Sequence, residues 1–293
     1  MKYIEKHPMI MIMVGVFGIS MSSIFVKYSS APSAVTAAYR LLWTVLLMAP
    51  VTFGKGEIRR ELFRMNRKNF LLSCLSGVFL AIHFTLWFES LNHTSVASST
   101  TIVCTEVIWV SLGYALFLKG KMGLRAVLAI AVTLLGSALI ALADSSSGGA
   151  HLYGDFLSLL AAIAVAVYVL MGRMVRETVS TTVYTFVVYL SCAAVLLLFC
   201  CLHKDPLFGY GFSGILVGLL LAVFSTILGH SIFSWCLKYF SPSFVSASKL
   251  CEPVVAAILA GFLFGESPAA LQLLGGAMIL GGVLYYSRLE SEK

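Results

Sequence analysis

The chain has 293 residues, of which 59% are hydrophobic and only 11% are charged, and its formal net charge is +7. A soluble domain needs a polar surface, so this composition excludes a water-soluble globular protein and indicates a membrane protein. We attribute the positive charge to membrane topology and expect no nucleic-acid partner, because the basic residues collect on one side of the apolar segments.

Ten apolar stretches follow one another along the chain. Each is long enough to cross the hydrocarbon core of a bilayer, which takes about 20 helical residues. The runs are continuous and do not alternate with polar residues, so they predict helices and not the strands of a barrel. The predicted spans cover roughly residues 9–28, 32–53, 69–90, 94–118, 123–143, 152–172, 181–202, 211–236, 242–264 and 268–287.

A polar, glycine-containing linker at residues 144–151 divides the ten spans into five and five. We therefore predict a first repeat over residues 1–143 and a second repeat over residues 152–293. Because five is an odd number, the second repeat enters the membrane in the opposite orientation. The predicted fold class is an all-α polytopic membrane protein whose ten transmembrane helices form two inverted five-helix repeats.

The basic residues set the predicted orientation in the membrane. If the N-terminus is cytoplasmic, only Lys27 and Lys204 lie outside, and Arg40 and Lys249 fall within spans. The other sixteen of the 20 lysines and arginines then lie on the cytoplasmic side. This positive-inside bias predicts a multi-pass protein of the cytoplasmic membrane with both termini in the cytoplasm.

Two glutamates lie near the middle of predicted spans four and nine. Ser95 and Glu106 align with Ser241 and Glu252 at a single offset, so the two acids hold equivalent places in the two repeats. A carboxylate in the hydrocarbon core is costly and is typical of a functional site. Inverted repeats place such a site near the bilayer midplane, between the two halves.

Lys249 lies three residues before Glu252, so the two side chains share a helix face. Pro253 removes a backbone donor and clashes with the carbonyl of Lys249, which we expect either to face a cavity as a free acceptor or to be satisfied locally. These residues fit a substrate or proton site, or an internal ion pair that holds the halves together. Glu106 is a second candidate partner for Lys249, across the repeat interface.

Several further residues are candidates for substrate or proton binding. Trp109, one turn after Glu106, fits a cavity wall or a packed core position, and Ser99 fits a substrate contact or close helix packing. His83 and His230 fit a proton relay or hydrogen bonds to neighbouring helices.

Other polar and small residues predict structural roles. Arg40 in span two needs an acid, a carbonyl or water as its partner, and we expect it to snorkel towards the membrane surface. Trp87 near a span end is expected in the interfacial belt. Glycines such as Gly136 and Gly282 indicate close helix packing. Whether any of them supports a homodimer is left open by the sequence.

Three segments carry a resemblance to a known family. They are Ala38-Tyr-Arg-Leu-Leu-Trp43, His83-Phe-Thr-Leu-Trp-Phe-Glu-Ser90 and Glu252-Pro-Val-Val-Ala-Ala-Ile-Leu-Ala-Gly-Phe-Leu-Phe-Gly-Glu266. Together they resemble the EamA repeats of the drug/metabolite transporter superfamily over essentially the whole chain. The resemblance implies a ten-helix permease with a central cavity that transports small metabolites, often exporting amino acids or related compounds. It also implies that Arg40 is a structural anchor. Two positions depart from the family pattern, Val107 where proline is usual and Lys249 where an apolar or small residue is usual.

We therefore predict a secondary active transporter and not an enzyme. It is expected to move a small polar metabolite across the bilayer by alternating access, with export of amino acids or related amines favoured and proton coupling as one option. The sequence contains no H-E-x-x-H, G-x-x-x-x-G-K-[ST], G-x-S-x-G or C-x-x-C motif, so neither a metal nor a cofactor is expected. The alternatives are an uptake permease, a non-transporting membrane sensor and a lipid-modifying membrane enzyme.

Overall fold

A computed structural model describes residues 8–26, 28–94, 96–144, 152–252, 254–255, 258 and 270–291. Within these residues the regular structure is helical. The helices are α1 (Pro8–Val26), α2 (Ser33–Gly54), α3 (Gly56–Arg64), α4 (Arg67–Ser90), α5 (Val96–Cys104), α6 (Glu106–Phe117), α7 (Leu124–Asp144), α8 (Leu152–Arg176), α9 (Thr181–His203), α10 (Gly211–Cys236), α11 (Pro242–Ser248) and α12 (Ala270–Ser291).

The predicted all-α membrane fold is confirmed. Seven helices in the described ranges are long and apolar enough to cross a bilayer: α1, α2, α4, α8, α9, α10 and the segment Ser99–Phe117 across α5 and α6. Shorter apolar segments lie in α7 and α12, and α11 begins the ninth predicted span. The remaining helix, α3, is a short amphipathic element in the basic loop after α2. The predicted residues Pro253, Lys27 and Ser95 lie outside the described residues.

Each repeat packs its third span against helices of the other repeat. The third span of each repeat inserts into the other repeat: α4 packs against α8 and α9, and α10 packs against α1 and α2. Equivalent helices also meet their counterparts in the pairs α2 with α9, α6 with α11, and α7 with α12. Such a reciprocal set of contacts is what a two-fold relation between similar halves produces. It puts the repeat interface at the centre of the helix bundle.

Glycines allow the closest of these helix contacts. A methyl group on Gly18 of α1 would lie 2.7 Å from the carbonyl oxygen of Phe224 in α10. A methyl group on Gly136 of α7 would lie 2.6 Å from the carbonyl oxygen of Gly275 in α12. The predicted packing role of Gly136 follows from this geometry, and Gly18 has the same role, because only a hydrogen atom fits between the two backbones.

Two adjacent glycines of α12 give a matched test of this packing. A methyl group on Gly282 would lie 2.5 Å from Cγ2 of Thr133, whereas a methyl group on Gly281 would meet open space. We expect Gly282→Ala to lower the thermal midpoint in detergent, since overpacking costs about 1–3 kcal/mol. Gly281→Ala is the control and should keep or raise the midpoint, because alanine is the better helix former. Equal midpoints for the two variants would contradict the packing of α12 on α7.

Candidate functional site

A cavity of about 60 Å³ lies at the interface between the two repeats. Its wall is made by α1, α2, the α5–α6 span, α4, α8, α10 and the segment after α11. The ionisable residues of this wall are Arg40, His83, Glu106, His230, Lys249 and Glu252. The structure thus brings together five of the residues predicted from sequence and adds Arg40 to them.

A buried ion pair crosses the cavity wall from one repeat to the other. Nζ of Lys249 donates to Oε1 of Glu106 at 2.8 Å, and the two residues are only 8% and 4% exposed. Lys249 also lies over the ring of Phe233, with 5.5 Å between Nζ and the ring centroid. The pairing that the sequence left open is therefore between Lys249 and Glu106. Short, charge-assisted bonds of this kind are among the strong polar contacts in proteins.

The helix of the fourth span is interrupted immediately before Glu106. Helix α5 ends at Cys104 and α6 begins at Glu106, so Thr105 forms a joint between them. The Thr105 hydroxyl donates to the carbonyl oxygen of Ile102 at 2.6 Å, a local bond that competes with regular helix geometry. The joint makes Glu106 the first residue of α6.

The second repeat has a matching irregularity at Lys249. The backbone changes from α11 to a single 3₁₀ turn over Lys249–Cys251, directly before Glu252. Of the two expectations for the Lys249 carbonyl, the structure shows local satisfaction, because this oxygen accepts the backbone N–H of Glu252 in the tighter turn. The carbonyl oxygen of Glu252 itself lies 3.5 Å from Oγ of Ser20 in α1. Both cavity glutamates therefore follow a break in the regular helix.

A π-helical segment, Leu221–Ser231, forms the middle of α10. Its wide turns place Ser225 and His230 on the cavity wall, and Thr226 beside Arg40. Long π-helical stretches are rare and are found frequently at functional sites. The sequence reasoning missed this segment, although the polar cluster Ser225, Thr226 and His230 inside an apolar span was a signal for it.

Arg40 is a cavity residue and not a snorkelling one, so that expectation is wrong. The side chain is only 1% exposed. Its Nε donates to Oγ1 of Thr226 at 2.7 Å, and its guanidinium carbon lies 4.2 Å from the ring centroid of Phe84. Because Thr226 belongs to the second repeat and Arg40 to the first, this hydrogen bond is another contact between the repeats. It holds the charge near mid-helix, away from the membrane surface.

Trp87 was expected in the interfacial belt, and this expectation is also wrong. The residue is buried and lines the cavity. Its indole stacks on the ring of His83, with 6.1 Å between centroids and an interplanar angle of 12°. The error arose because position near a helix end does not fix which side of the helix a residue occupies, and Trp87 lies on the buried side of α4.

The two predicted histidines are held mainly by packing and local bonds. Nδ1 of His83 lies 3.0 Å from the carbonyl oxygen of Ala161 in α8, which fixes a proton on that nitrogen. The ring of His230 packs edge-on against Phe84, with centroids 5.4 Å apart, and against Tyr168. The geometry therefore agrees with the hydrogen-bonded alternative for His83, while both rings remain part of the cavity wall.

Ser99 and Trp109 do not line this cavity, which corrects their predicted place in the site. The Ser99 hydroxyl is bonded to the hydroxyls of Ser90 at 2.7 Å and Ser158 at 3.1 Å. This small cluster joins α4, α5 and α8. Trp109 is half-buried and packs against the apolar core. Helical spacing put both residues on the Glu106 side, but the joint at Thr105 and the packing of α8 direct them elsewhere.

Four cavity residues contain a buried polar atom without a hydrogen-bond partner in the part of the chain that the structure describes. They are Ser22 (Oγ), Arg40 (Nη1), Trp87 (Nε1) and Ser225 (Oγ). Buried polar atoms are nearly always paired with protein or with an ordered molecule. Four of the nine such atoms in the described residues therefore line this one cavity, where a polar occupant would satisfy them.

The Glu106–Lys249 pair leads to a test by a double-mutant cycle. Breaking a buried ion pair from one side leaves an uncompensated charge and costs about 3–5 kcal/mol. We expect Glu106→Gln and Lys249→Leu each to lower the thermal midpoint in detergent and to impair transport. The double variant should be more stable than the sum of the two losses predicts, because it contains neither isolated charge. Strictly additive losses would contradict the coupling of the two residues.

The comparisons with known proteins agree with this architecture. The sequence matches the EamA-like transporter family over residues 7–142 and again over residues 152–288. It is 26% identical over 266 residues to the uncharacterized transporter YxxF of Bacillus subtilis (strain 168), an alignment that covers 88% of this chain and 82% of the relative. It is also 26% identical over 296 residues to the uncharacterized transporter YyaM of the same organism, covering 95% and 93% of the two chains.

A solved crystal structure has the same fold. It superposes with a TM-score of 0.82 and covers 97% of this chain and 98% of its own length, at 15% sequence identity. The two family matches together span most of the chain, with one match in each half. The protein therefore belongs to the EamA-like transporter family and is a multi-pass membrane transporter.

Proposed function

We propose that the chain is a secondary transporter that exports a small zwitterionic metabolite, such as an amino acid or a related amine-bearing compound. The observation that carries this proposal is the composition of the cavity wall, which contains two acids and two bases at the interface between the repeats. Transporters with inverted repeats bind their substrate at this position and expose it alternately to the two sides.

The charges of the wall balance when all four groups are ionised. Glu106 and Lys249 neutralise each other in the 2.8 Å pair. Arg40 and Glu252 remain, and among the described residues neither takes part in an ion pair. A solute with one positive and one negative group complements these two residues. Without Arg40, the two glutamates and Lys249 would together carry one net negative charge, and Arg40 cancels that charge.

The small volume of the cavity supports a mechanism in which helices move during transport. Pockets that enclose drug-sized ligands have volumes of about 300 Å³ or more, and the cavity here is about 60 Å³. A metabolite therefore enters only when helices shift. The joint at Thr105, the 3₁₀ turn at Lys249 and the π segment of α10 are points at which helices bend more easily than in a regular α-helix.

The direction and the driving force are part of the proposal. We assign export, with proton entry as the coupled reaction. The acids at the cavity are the groups that would exchange a proton for the substrate. Uptake of the same solute through the same cavity is the alternative, and the transport measurement distinguishes it from export.

Reconstituted protein tests the proposal. Proteoliposomes loaded with a panel of amino acids, amines and carboxylates should release the zwitterions fastest, and an opposed pH gradient should accelerate release. Acidification of the lumen, the compartment that receives the protons, should slow it. A Glu106→Gln, Glu252→Gln double variant serves as the inactive control. Absence of movement for every solute in both directions, with no proton flux, would overturn the transport proposal.

The proposed orientation, with both termini in the cytoplasm, is tested by labelling two exposed phenylalanines replaced by cysteine. Phe208 follows α9 and is 83% exposed, and Phe63 belongs to α3 and is 75% exposed. In a Cys201→Ser background, Phe208→Cys should react with a membrane-impermeant maleimide in intact cells. Phe63→Cys should react only after the membrane is permeabilised. The reverse pattern would show that the orientation is inverted.

A further inference from the structure

We infer that Arg40 binds a carboxylate group of the transported solute, with Trp87 and Ser225 as neighbouring hydrogen-bond donors. The inference rests on the proposed function and makes it more specific, because it names the residue that selects the acidic group of the substrate. It also changes the role of Arg40 from a helix anchor to a specificity-determining residue.

The protein holds the Arg40 side chain in a fixed orientation. Its Nε is fixed by the 2.7 Å bond to Thr226, and its guanidinium carbon lies over the Phe84 ring, 4.2 Å from the ring centroid. A guanidinium group has five N–H donors in a rigid planar fork. The bond to Thr226 uses one of them, and the contact with Phe84 covers one face. The orientation of the group is therefore set by the protein before a ligand arrives.

Arg40 has a guanidinium donor that the described residues leave unused. Nη1 of Arg40 is buried and has no hydrogen-bond partner within the described ranges. A charged donor that is buried without an acceptor is expensive, so the site favours an acceptor, and an anionic one most. Glu106 is already bonded to Lys249 at 2.8 Å. The described ion pairs give Arg40 no carboxylate of its own.

Two neighbours of Arg40 in the cavity wall also have unused hydrogen-bond donors. The indole Nε1 of Trp87 and the Oγ of Ser225 are also buried without a partner in the described chain. Both residues line the same cavity as Arg40. Trp87 is held by its stacking on His83, which in turn is bonded to Ala161 at 3.0 Å. These groups supply N–H and O–H donors and no negative charge.

The chemistry of the wall favours a carboxylate over other anions. A planar carboxylate accepts two parallel bonds from a guanidinium fork, which gives geometric specificity. A phosphate carries more negative charge and would also face the carboxylate of Glu252 across the same cavity. A zwitterion avoids this repulsion, because its ammonium group pairs with Glu252 while its carboxylate pairs with Arg40.

The test compares amino acids with their amides, in which a neutral group replaces the carboxylate. A panel of L-amino acids and the matching amides is added to the purified wild-type protein, and both the thermal midpoint and the exchange rate in proteoliposomes are measured. Sites that bond a polar group reject analogues that lack it by about 100-fold or more. We expect at least one amino acid to stabilise and exchange about 100-fold more effectively than its amide.

Variants of Arg40 and Thr226 assign this preference to the guanidinium. Arg40→Gln should abolish the ratio between acid and amide, and Arg40→Lys should restore only a small part of it, because lysine lacks the fork. Thr226→Val, which keeps Arg40 but removes its anchor, should lower the ratio about tenfold if it is worth one typical hydrogen bond. Thr226→Ser should keep the ratio. These two variants keep the test open if Arg40→Gln does not fold.

A buried arginine outside the cavity provides the matched control. Arg176 in α8 donates through Nε to the carbonyl oxygen of Ser234 at 3.1 Å and is not a cavity residue. Arg176→Gln should lower the thermal midpoint and leave the ratio between acid and amide unchanged. An equal loss of the ratio in Arg176→Gln and Arg40→Gln would overturn the inference.

The outcomes separate this inference from the proposed function. Transport of amines or other solutes with no preference for a carboxylate overturns the role of Arg40 and leaves transport intact. Stabilisation by amino acids that is lost in Arg40→Gln, with no flux of any solute, supports the carboxylate site and contradicts the transport proposal. Stronger stabilisation by inorganic phosphate than by every amino acid in the panel overturns the inference.

Discussion

The buried pair between Lys249 and Glu106 is the constraint on which the centre of this protein depends. An unpaired charge at this depth would be costly in a low-dielectric interior, so each residue requires the other. Because one comes from each repeat, the electrostatic requirement is also a requirement on how the two halves meet. The pair is next to the cavity, and therefore a change in the packing of the repeats changes the environment of any bound solute.

The helix irregularities follow from the same constraint. A regular α-helix bonds its own backbone completely and offers the cavity only side chains. At Thr105, at Lys249 and along the π segment of α10 the regular pattern changes, and each change lies next to a charged or polar cavity residue. The first and third depend on hydroxyl-bearing residues, Thr105 and Thr226, whose side chains make local bonds. The protein thus builds a polar site in an apolar bundle.

The reciprocal packing of the repeats explains why the site contains residues from so many helices. Since α4 inserts between α8 and α9, and α10 packs on α1 and α2, every cavity wall is a contact between the halves. Arg40 shows the consequence most clearly. It lies in the first repeat, and its Nε partner Thr226 lies in the second. Its Nη1, which has no hydrogen-bond partner among the described residues, remains at the boundary. A bound carboxylate at this position would stabilise one arrangement of the repeats over another.

The sequence by itself determined the membrane class, the helical spans, the division into two repeats and the mid-span placement of Glu106, Lys249 and Glu252. These features follow from hydropathy, charge and internal similarity, which are local properties of the chain. The tertiary structure decided which acid pairs with Lys249, that Arg40 and Trp87 face the cavity, and that Ser99 does not. Those outcomes depend on the rotation of each helix about its axis and on helix joints. Both are set by contacts between residues far apart in sequence and not by the periodicity of any one span.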